Sequence, residues 1–346
     1  LALRIIQVGL GGWGYDWLTN VVLPSADFEL AACVDVDASV LERVQARGVP
    51  PNRCFTAVEK ALETVDCEAV LITTTLPYHV PVALAALKAG KHVLVEKPFA
   101  PTLEDARQAV DLAATVGKIL MVSQNYRFYP AVRAVMALLG ENAFGPVHSV
   151  NLDFRRYANK APVPGHRHYA LTQPLLMDMA IHHFDLMRGV LRQEPAVVSC
   201  TTWNPSWSKF VEPPVGAATI TFDGGAVVSY RGSWISAGPA TPWAGEWHME
   251  CEGGEIVWTS RADIGISDAT GLSAERVVVR PLGKRPRPVE LPTLAHFDRA
   301  GALHAFAQAI QTGQEPETSG RANLGSLALM LATIEASKSG LPVRFG

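Results

Sequence analysis

The chain is poor in charge, poor in cysteine and free of long apolar runs. Charged residues make up 18% of its 346 positions against 48% apolar ones, which excludes a disordered chain. A formal net charge of −3 leaves no basic excess to displace counterions, so neither nucleic acid nor an anionic membrane is expected as the main partner. A small molecule is. The five cysteines, Cys33, Cys54, Cys67, Cys200 and Cys251, are odd in number and never form a C-x-x-C pair, so neither a disulfide framework nor a zinc site is suggested, and a reducing cytoplasm fits. The longest apolar stretches are of strand length, and no charged leader precedes "LALRIIQVGLGGWG". Neither a membrane span nor export is expected.

The length exceeds what one core usually supports, so two domains are predicted. From residue 3 to about 126, apolar runs ("RIIQVGL", "ELAACVDV", "AVLITTT", "HVLVE", "KILMVSQ") alternate with amphipathic segments. Near-continuous apolar strands are what a parallel sheet covered on both faces requires, which predicts a doubly wound α/β domain over 1–126. Within it, Thr102 stands three residues before Asp105 and Gly117 follows the last apolar position, a capped helix whose core face is Leu103, Ala106, Val110 and Ala113. Beyond 126 the strands alternate apolar and polar residues and are joined by glycine-rich turns, the pattern of an antiparallel sheet with one free face. Helices are predicted in "PLLMDMAIHHFDLMRGVL", near 296–312 and over 320–339. The region 127–346 therefore reads as an α+β domain with a large open, mainly antiparallel sheet.

Three constellations carry chemistry. "VGLGGWG" sets Gly9, Gly11 and Gly14 in G-x-G-x-x-G spacing between a strand and a helix, with Gly12 inside it, the arrangement that lets a main chain approach a pyrophosphate at a helix start. Asp35 ends the next strand, placed to accept from an adenosine ribose and to repel a 2′-phosphate, and no basic residue stands between 35 and 42. NAD is preferred over NADP. Asp37 either shares that role or caps the next helix. Glu96, Lys97 and Pro98 follow "HVLV", where ligands of such sheets bind, and the proline biases Lys97 toward extended geometry. Asp178, His182 and Asp185 are four and three residues apart and would share a helix face, with His183 pointing away. That stripe suits a buried hydrogen-bond network and a base with an orienting carboxylate equally well.

Taken together, the glycine fingerprint, Asp35, "GKHVLVEKPFA", "SQNYRFYP" with its Asn-x-Arg-x-x-Pro, Asp178-x-x-x-His182 and "TIEASKSGLPVRF" resemble the glucose-fructose oxidoreductase, inositol dehydrogenase and rhizopine-catabolism family nearly end to end. The resemblance implies a Rossmann domain followed by an α+β domain whose sheet forms a homodimer or homotetramer. It implies Lys97, Asp178 and His182 as catalytic groups at the nicotinamide, a Lys97-Pro98 bond that is often cis, and cofactor contacts from Thr74, His79, Glu96, Lys97 and Asn125. The expected activity is NAD-dependent hydride transfer from a secondary alcohol of a sugar, inositol or related polyol, with His182 as the natural base and Lys97 stabilising alkoxide. An enzyme that keeps NAD bound to assist glycoside cleavage and a non-catalytic sugar or dinucleotide sensor are the alternatives. Two departures stand out: Gln173 and Pro174 replace a glycine-rich turn, and "TTTLPYH" replaces Thr-Pro-Asn-x-x-His.

The segment 155–168 holds Arg155, Arg156, Lys160, His166, Arg167 and His168 with no acid. Arg127, Arg155 and Arg167 are thus candidate substrate contacts beside Asp178 and His182, although a solvated loop paired with acids elsewhere is the better expectation. His166, His168, His182 and His183 show no ligand triad, so no metal is expected. Six tryptophans, Trp203, Trp207, Trp234, Trp243, Trp247 and Trp258, fall in the antiparallel region, where a subunit interface is favoured over sugar stacking.

Overall fold

The computed structural model describes residues 2–162, 167–262 and 274–346. The first sheet has six parallel strands, β1 (Leu3–Val8), β2 (Phe28–Val34), β3 (Cys54–Phe55), β4 (Ala69–Ile72), β5 (His92–Val95) and β6 (Leu120–Val122), in the order β3-β2-β1-β4-β5-β6. The order reverses between β1 and β4, and it is beyond the carboxyl ends of strands at such a switch that a ligand finds room. All four residues of β4 are buried, as strands covered on both faces require. The helices between the strands are α1 (Gly12–Trp17), α2 (Ala38–Gln45), α3 (Val58–Thr64), α4 (His79–Lys88) and α5 (Leu103–Thr115). At the start of α5 the Thr102 hydroxyl oxygen accepts from the Asp105 amide at 3.1 Å. Ala106, Ala109, Val110 and Ala113 of α5 are buried, whereas Leu103 is only half-buried.

After α6 (Pro130–Gly140) come β7 (Val147–Arg155), α7 (Ile181–Leu191), β8 (Pro195–Trp203), β9 (Val215–Phe222), β10 (Val227–Ser233), β11 (Glu246–Cys251), β12 (Gly254–Thr259), β13 (Arg276–Pro281), β14 (Arg287–Pro288), α8 (Asp298–Thr312), α9 (Gly320–Ser339) and β15 (Val343–Arg344). Nine of the strands form a second sheet, β14-β13-β12-β11-β7-β10-β9-β8-β15. It is antiparallel except for the β7·β10 pair. Burial alternates along β10, so one face of each strand is packed and the other open.

The chain divides into two compact units, one made of Leu1–Asn125 with His296–Leu327, the other of Tyr126–Ala295 with Ala328–Gly346. A single boundary at 126 is therefore corrected. The chain leaves the first unit there, but α8 and the first part of α9 return to it, and nothing in their composition distinguishes a helix that goes back from one that stays. The tryptophan expectation is corrected as well. Trp234, Trp247 and Trp258 are 5%, 0% and 1% exposed, and Trp247 stacks on Trp258 with centroids 4.6 Å apart. They are core of the second unit; Trp203 and Trp207, at 43% and 58%, are exposed.

Candidate functional site

In the first unit the glycine loop leaves β1 at the switch. The Gly9 amide donates to the Val34 carbonyl at 2.8 Å, and the Thr73 amide to that of Val8 at 2.8 Å, so the loop is tied to the ends of β2 and β4. Gly9 has φ +89°, and a Cβ there would lie 2.6 Å from the Thr74 amide nitrogen. A Cβ at Gly14 would lie 2.0 Å from the Gly9 carbonyl oxygen, while at Gly11 and Gly12 it would meet nothing within 4 Å. Two of the glycines are thus demanded by packing. The other two leave the main chain bare toward open space, a cradle that fits a dinucleotide pyrophosphate.

Asp35 accepts from the Leu10 amide at 2.6 Å and, through its other oxygen, from the Asp37 amide at 3.0 Å. Its carboxylate therefore lies at the base of the cradle. Asp37 caps α2 by accepting from the Ser39 amide at 2.9 Å. Arg43, one residue beyond the 35–42 stretch that lacks a cation, donates to the Leu10 carbonyl at 2.9 Å and lies 3.8 Å from the Tyr15 ring centroid. The sequence reading also passed over Gln7, fully buried in β1, whose amide donates to the Gly14 carbonyl at 2.7 Å and to the Thr73 hydroxyl at 3.1 Å. A lone glutamine inside "RIIQVGL" was its signal, since a buried amide must be paired.

The turn after β5 is braced from several sides. Lys97 and Pro98 are joined by a cis peptide. Glu96, 5% exposed, accepts from the Trp17 indole at 2.7 Å and from the Lys97 amide at 3.2 Å. Its carboxylate fixes α1 against the turn. His79, expected at the cofactor, is built into the same turn. It is 2% exposed, with Nδ1 at 2.8 Å from the Pro98 carbonyl oxygen and Nε2 at 3.1 Å from that of Thr74. Burial pushes its pKa below the usual imidazole value, against the pull of the two carbonyls, and a neutral ring donates to only one of them. The ring fills the space between Thr74, at the rim of the glycine loop, and the Pro98 turn. The Asn125 amide donates to the Asp298 carboxylate at the start of α8.

In the second unit the Asp-His-Asp stripe is divided among three partners. Residues Pro174–Ala180 form a π-helical turn that runs into α7, so Asp178 and His182 sit on either side of a change in helical pitch. The His168 Nε2 stands 3.7 Å from Asp178, and the His168 ring is held edge-on to Trp234 at 4.6 Å and Phe210 at 5.1 Å. His182, 6% exposed, lies flat on Tyr126 with centroids 4.0 Å apart and planes 4° apart. The Arg261 guanidinium carbon lies 4.6 Å from the same tyrosine ring. His183 is fully buried between the Tyr230 hydroxyl at 3.3 Å and the Trp243 carbonyl at 2.9 Å, and burial pushes its pKa down to about 4. Gln173, which departs from the family's glycine-rich turn, takes φ +47°, and its main-chain N–H donates to Glu212 at 2.7 Å.

Two of the arginines expected at the substrate are paired with carboxylates. Arg127 is 8% exposed and forks onto Asp185, Nε to Oδ2 at 2.6 Å and Nη2 to Oδ1 at 2.9 Å. Arg155 pairs with Glu246 of the neighbouring strand at 3.1 Å and with Asp153 of its own strand at 3.7 Å on the second sheet, so acids outside the 155–168 segment took up the charge that the sequence left unmatched. Arg167 is exposed, and His166 lies outside the described residues.

With this geometry in hand, comparison with known proteins finds two family models. Residues 3–124 match the oxidoreductase family with an NAD-binding Rossmann fold, and residues 132–257 match the GFO/IDH/MocA C-terminal domain. The 1,5-anhydro-D-fructose reductase of Ensifer adhaerens is 28% identical over 84% of this chain and 83% of its own. The inositol 2-dehydrogenase of Rhizobium meliloti is 25% identical over 92% of each. Among solved structures, the aldose-aldose oxidoreductase of Caulobacter crescentus complexed with glycerol superposes with a TM-score of 0.83 at 22% identity, over the whole of both chains.

Proposed function

The chain belongs to the glucose-fructose oxidoreductase, inositol dehydrogenase and rhizopine-catabolism family of oxidoreductases, and on that premise we propose that it moves a hydride between NAD and a secondary alcohol of a sugar, inositol or related polyol. The observation that carries the reading is the bare cradle at Gly11 and Gly12 above the Asp35 carboxylate, together with a lysine held in a braced turn. Gly9 to Gly14 hold the pyrophosphate and Asp35 the adenosine ribose. The nicotinamide, when bound, supplies the hydride acceptor. Everything else in the reaction is handling of one hydroxyl proton.

His182 takes that proton as the alcohol is oxidised, and its flat stack on Tyr126 fixes the plane of the imidazole. Lys97 donates to the hydroxyl oxygen and stabilises negative charge developing there. Asp178 orients the site and binds a second substrate hydroxyl. The relatives named for 1,5-anhydro-D-fructose and inositol support a cyclic polyol as substrate class. Contacts between copies through the open face of the second sheet complete the proposal, with size-exclusion chromatography coupled to light scattering as its check.

The test is NADH absorbance on mixing the protein and NAD with inositols, aldoses, sugar acids and glycosides, beside Lys97→Met. Loss of turnover by about a hundredfold or more in the variant, with NAD affinity within a few-fold, is the expected result. Turnover within a few-fold of the parent would remove Lys97 from the chemistry. Glycoside cleavage with no net NADH would favour the enzyme that keeps its NAD.

A further inference from the structure

At the amino ends of β1 and β2, the opposite end of these strands from the glycine loop, three side chains from distant parts of the sequence converge. Asp27 immediately precedes β2, His304 lies in α8, and His296 stands just before that helix. One donor atom from each lies within 4.8 Å of the other two. His304 Nδ1 is 2.8 Å from the Asp27 carboxylate across 277 residues of sequence, and the two imidazole rings face each other with centroids 4.5 Å apart.

The main chain beneath this cluster is held firmly. The Asp27 and Phe28 amides both donate to the Ser25 hydroxyl, at 3.1 and 3.2 Å, and the Asp27 carbonyl accepts from the Leu3 amide at 2.9 Å. Phe28, next to Asp27, stacks on Phe306, two residues beyond His304, with centroids 5.8 Å apart and planes 17° apart. Packing thus fixes where Asp27 and His304 sit, while His296 is exposed and turns toward them at little cost. Anchored donors joined by one adaptable donor are what a binding site needs and a chance surface pair lacks.

We propose that Asp27, His296 and His304 form a site for a divalent transition metal of the zinc class, which clips α8 to the start of β2. Two imidazoles and one carboxylate suit such an ion and not magnesium or calcium, which take oxygen donors. Three protein donors leave the remaining coordination to water on the exposed side. A cation drawn between the two chain segments closes the long excursion through the second unit and stabilises the folded state by mass action. None of the histidines weighed for a metal in the sequence takes part. A pair eight residues apart with its carboxylate near the other end of the chain has no spacing signature, so the expectation of no metal had nothing to read here.

The experiment is isothermal titration of tag-free, chelator-treated protein with Zn²⁺, with thermal unfolding followed in parallel, for the parent, His296→Ala and His304→Ala. Expected are one Zn²⁺ per chain with a Kd of about 10 μM or tighter, a melting temperature raised by several degrees at saturation, and affinity weakened at least about tenfold in each variant. Because His296 is exposed, its variant folds whether or not His304→Ala does, and it decides the question. No saturable binding, or equal affinity in His296→Ala, would overturn the site. Binding without a thermal gain would overturn the clip. None of these residues belongs to the cofactor cradle or the proton-transfer set, so the result stands apart from the proposed activity.

Discussion

Asp35 illustrates how one carboxylate serves two ends. It anchors the loop by accepting from the Leu10 amide at 2.6 Å, and in the proposed function it presents negative charge where a 2′-phosphate would arrive. Arg43 stands beside it, donating to the Leu10 carbonyl at 2.9 Å. Asp35→Ser is therefore expected to lower the NAD-to-NADP ratio of kcat/KM by at least about tenfold, a change near 1.4 kcal/mol, with Arg43 free to meet the phosphate. Adding Arg43→Ala to that variant is expected to raise KM for NADP. Steady-state kinetics with both dinucleotides check it, and an unchanged ratio in Asp35→Ser would mean that the ribose lies elsewhere. Arg127 makes a different argument. Its pair with Asp185 is buried on both sides, at 9% and 2% side-chain exposure, so removing one partner strands the other charge. Arg127→Met is expected to cost roughly 3–5 kcal/mol in denaturant unfolding.

Elements were legible where pattern and local chemistry agree. Five of the six strands of the first sheet, the Thr102 cap and the glycine loop follow from apolar runs, a hydroxyl before an acid and a spacing of glycines, all of which act over a few residues, whereas the two-residue edge strand β3 is too short to leave such a run. What was not legible depends on partners far away in sequence. The Asp178-His182-Asp185 stripe reads as one face, yet Asp185 belongs to Arg127, Asp178 to His168 and His182 to Tyr126, and the π-helical turn Pro174–Ala180 shifts the register that the even spacing assumed. The glycine loop makes this division testable. Gly14→Ala puts a Cβ 2.0 Å from the Gly9 carbonyl oxygen, so it is expected to lower stability by roughly 1–3 kcal/mol and to weaken NAD binding with it. Gly12→Ala meets no protein atom within 4 Å. It is expected to keep the melting temperature and lose NAD affinity alone, as read by thermal unfolding beside fluorescence titration. A matching loss of stability in Gly12→Ala would mean that the cradle is a folding feature only.

At the scale of the whole molecule, histidines held away from water contribute to the response to acid. His183 lies fully buried in the second unit with its pKa pushed down to about 4, and His92 in the first unit, whose Nδ1 accepts from the Ile119 amide at 3.0 Å, is also pushed down to about 4. Burial disfavours the charged ring in both, and His79 shifts the same way for the same reason. A histidine whose folded pKa lies below its unfolded value of 6.5 binds fewer protons when folded. Its contribution is therefore fully present above about pH 6.5 and is lost as pH falls toward 4. For His183 alone that loss is about 2 kcal/mol at pH 5 and about 3 kcal/mol once the fall is complete. Glu275 works in the opposite direction, because burial raises its pKa and makes the folded state hold a proton longer as pH rises. The histidine effect is isolated by urea unfolding of the parent and His183→Gln at pH 7.5 and pH 5. The variant is expected to be less stable at pH 7.5, having lost the packed ring, but its stability should fall by about 2 kcal/mol less than the parent's between the two pH values. Parallel losses in the two proteins would mean that His183 is not held neutral in the fold.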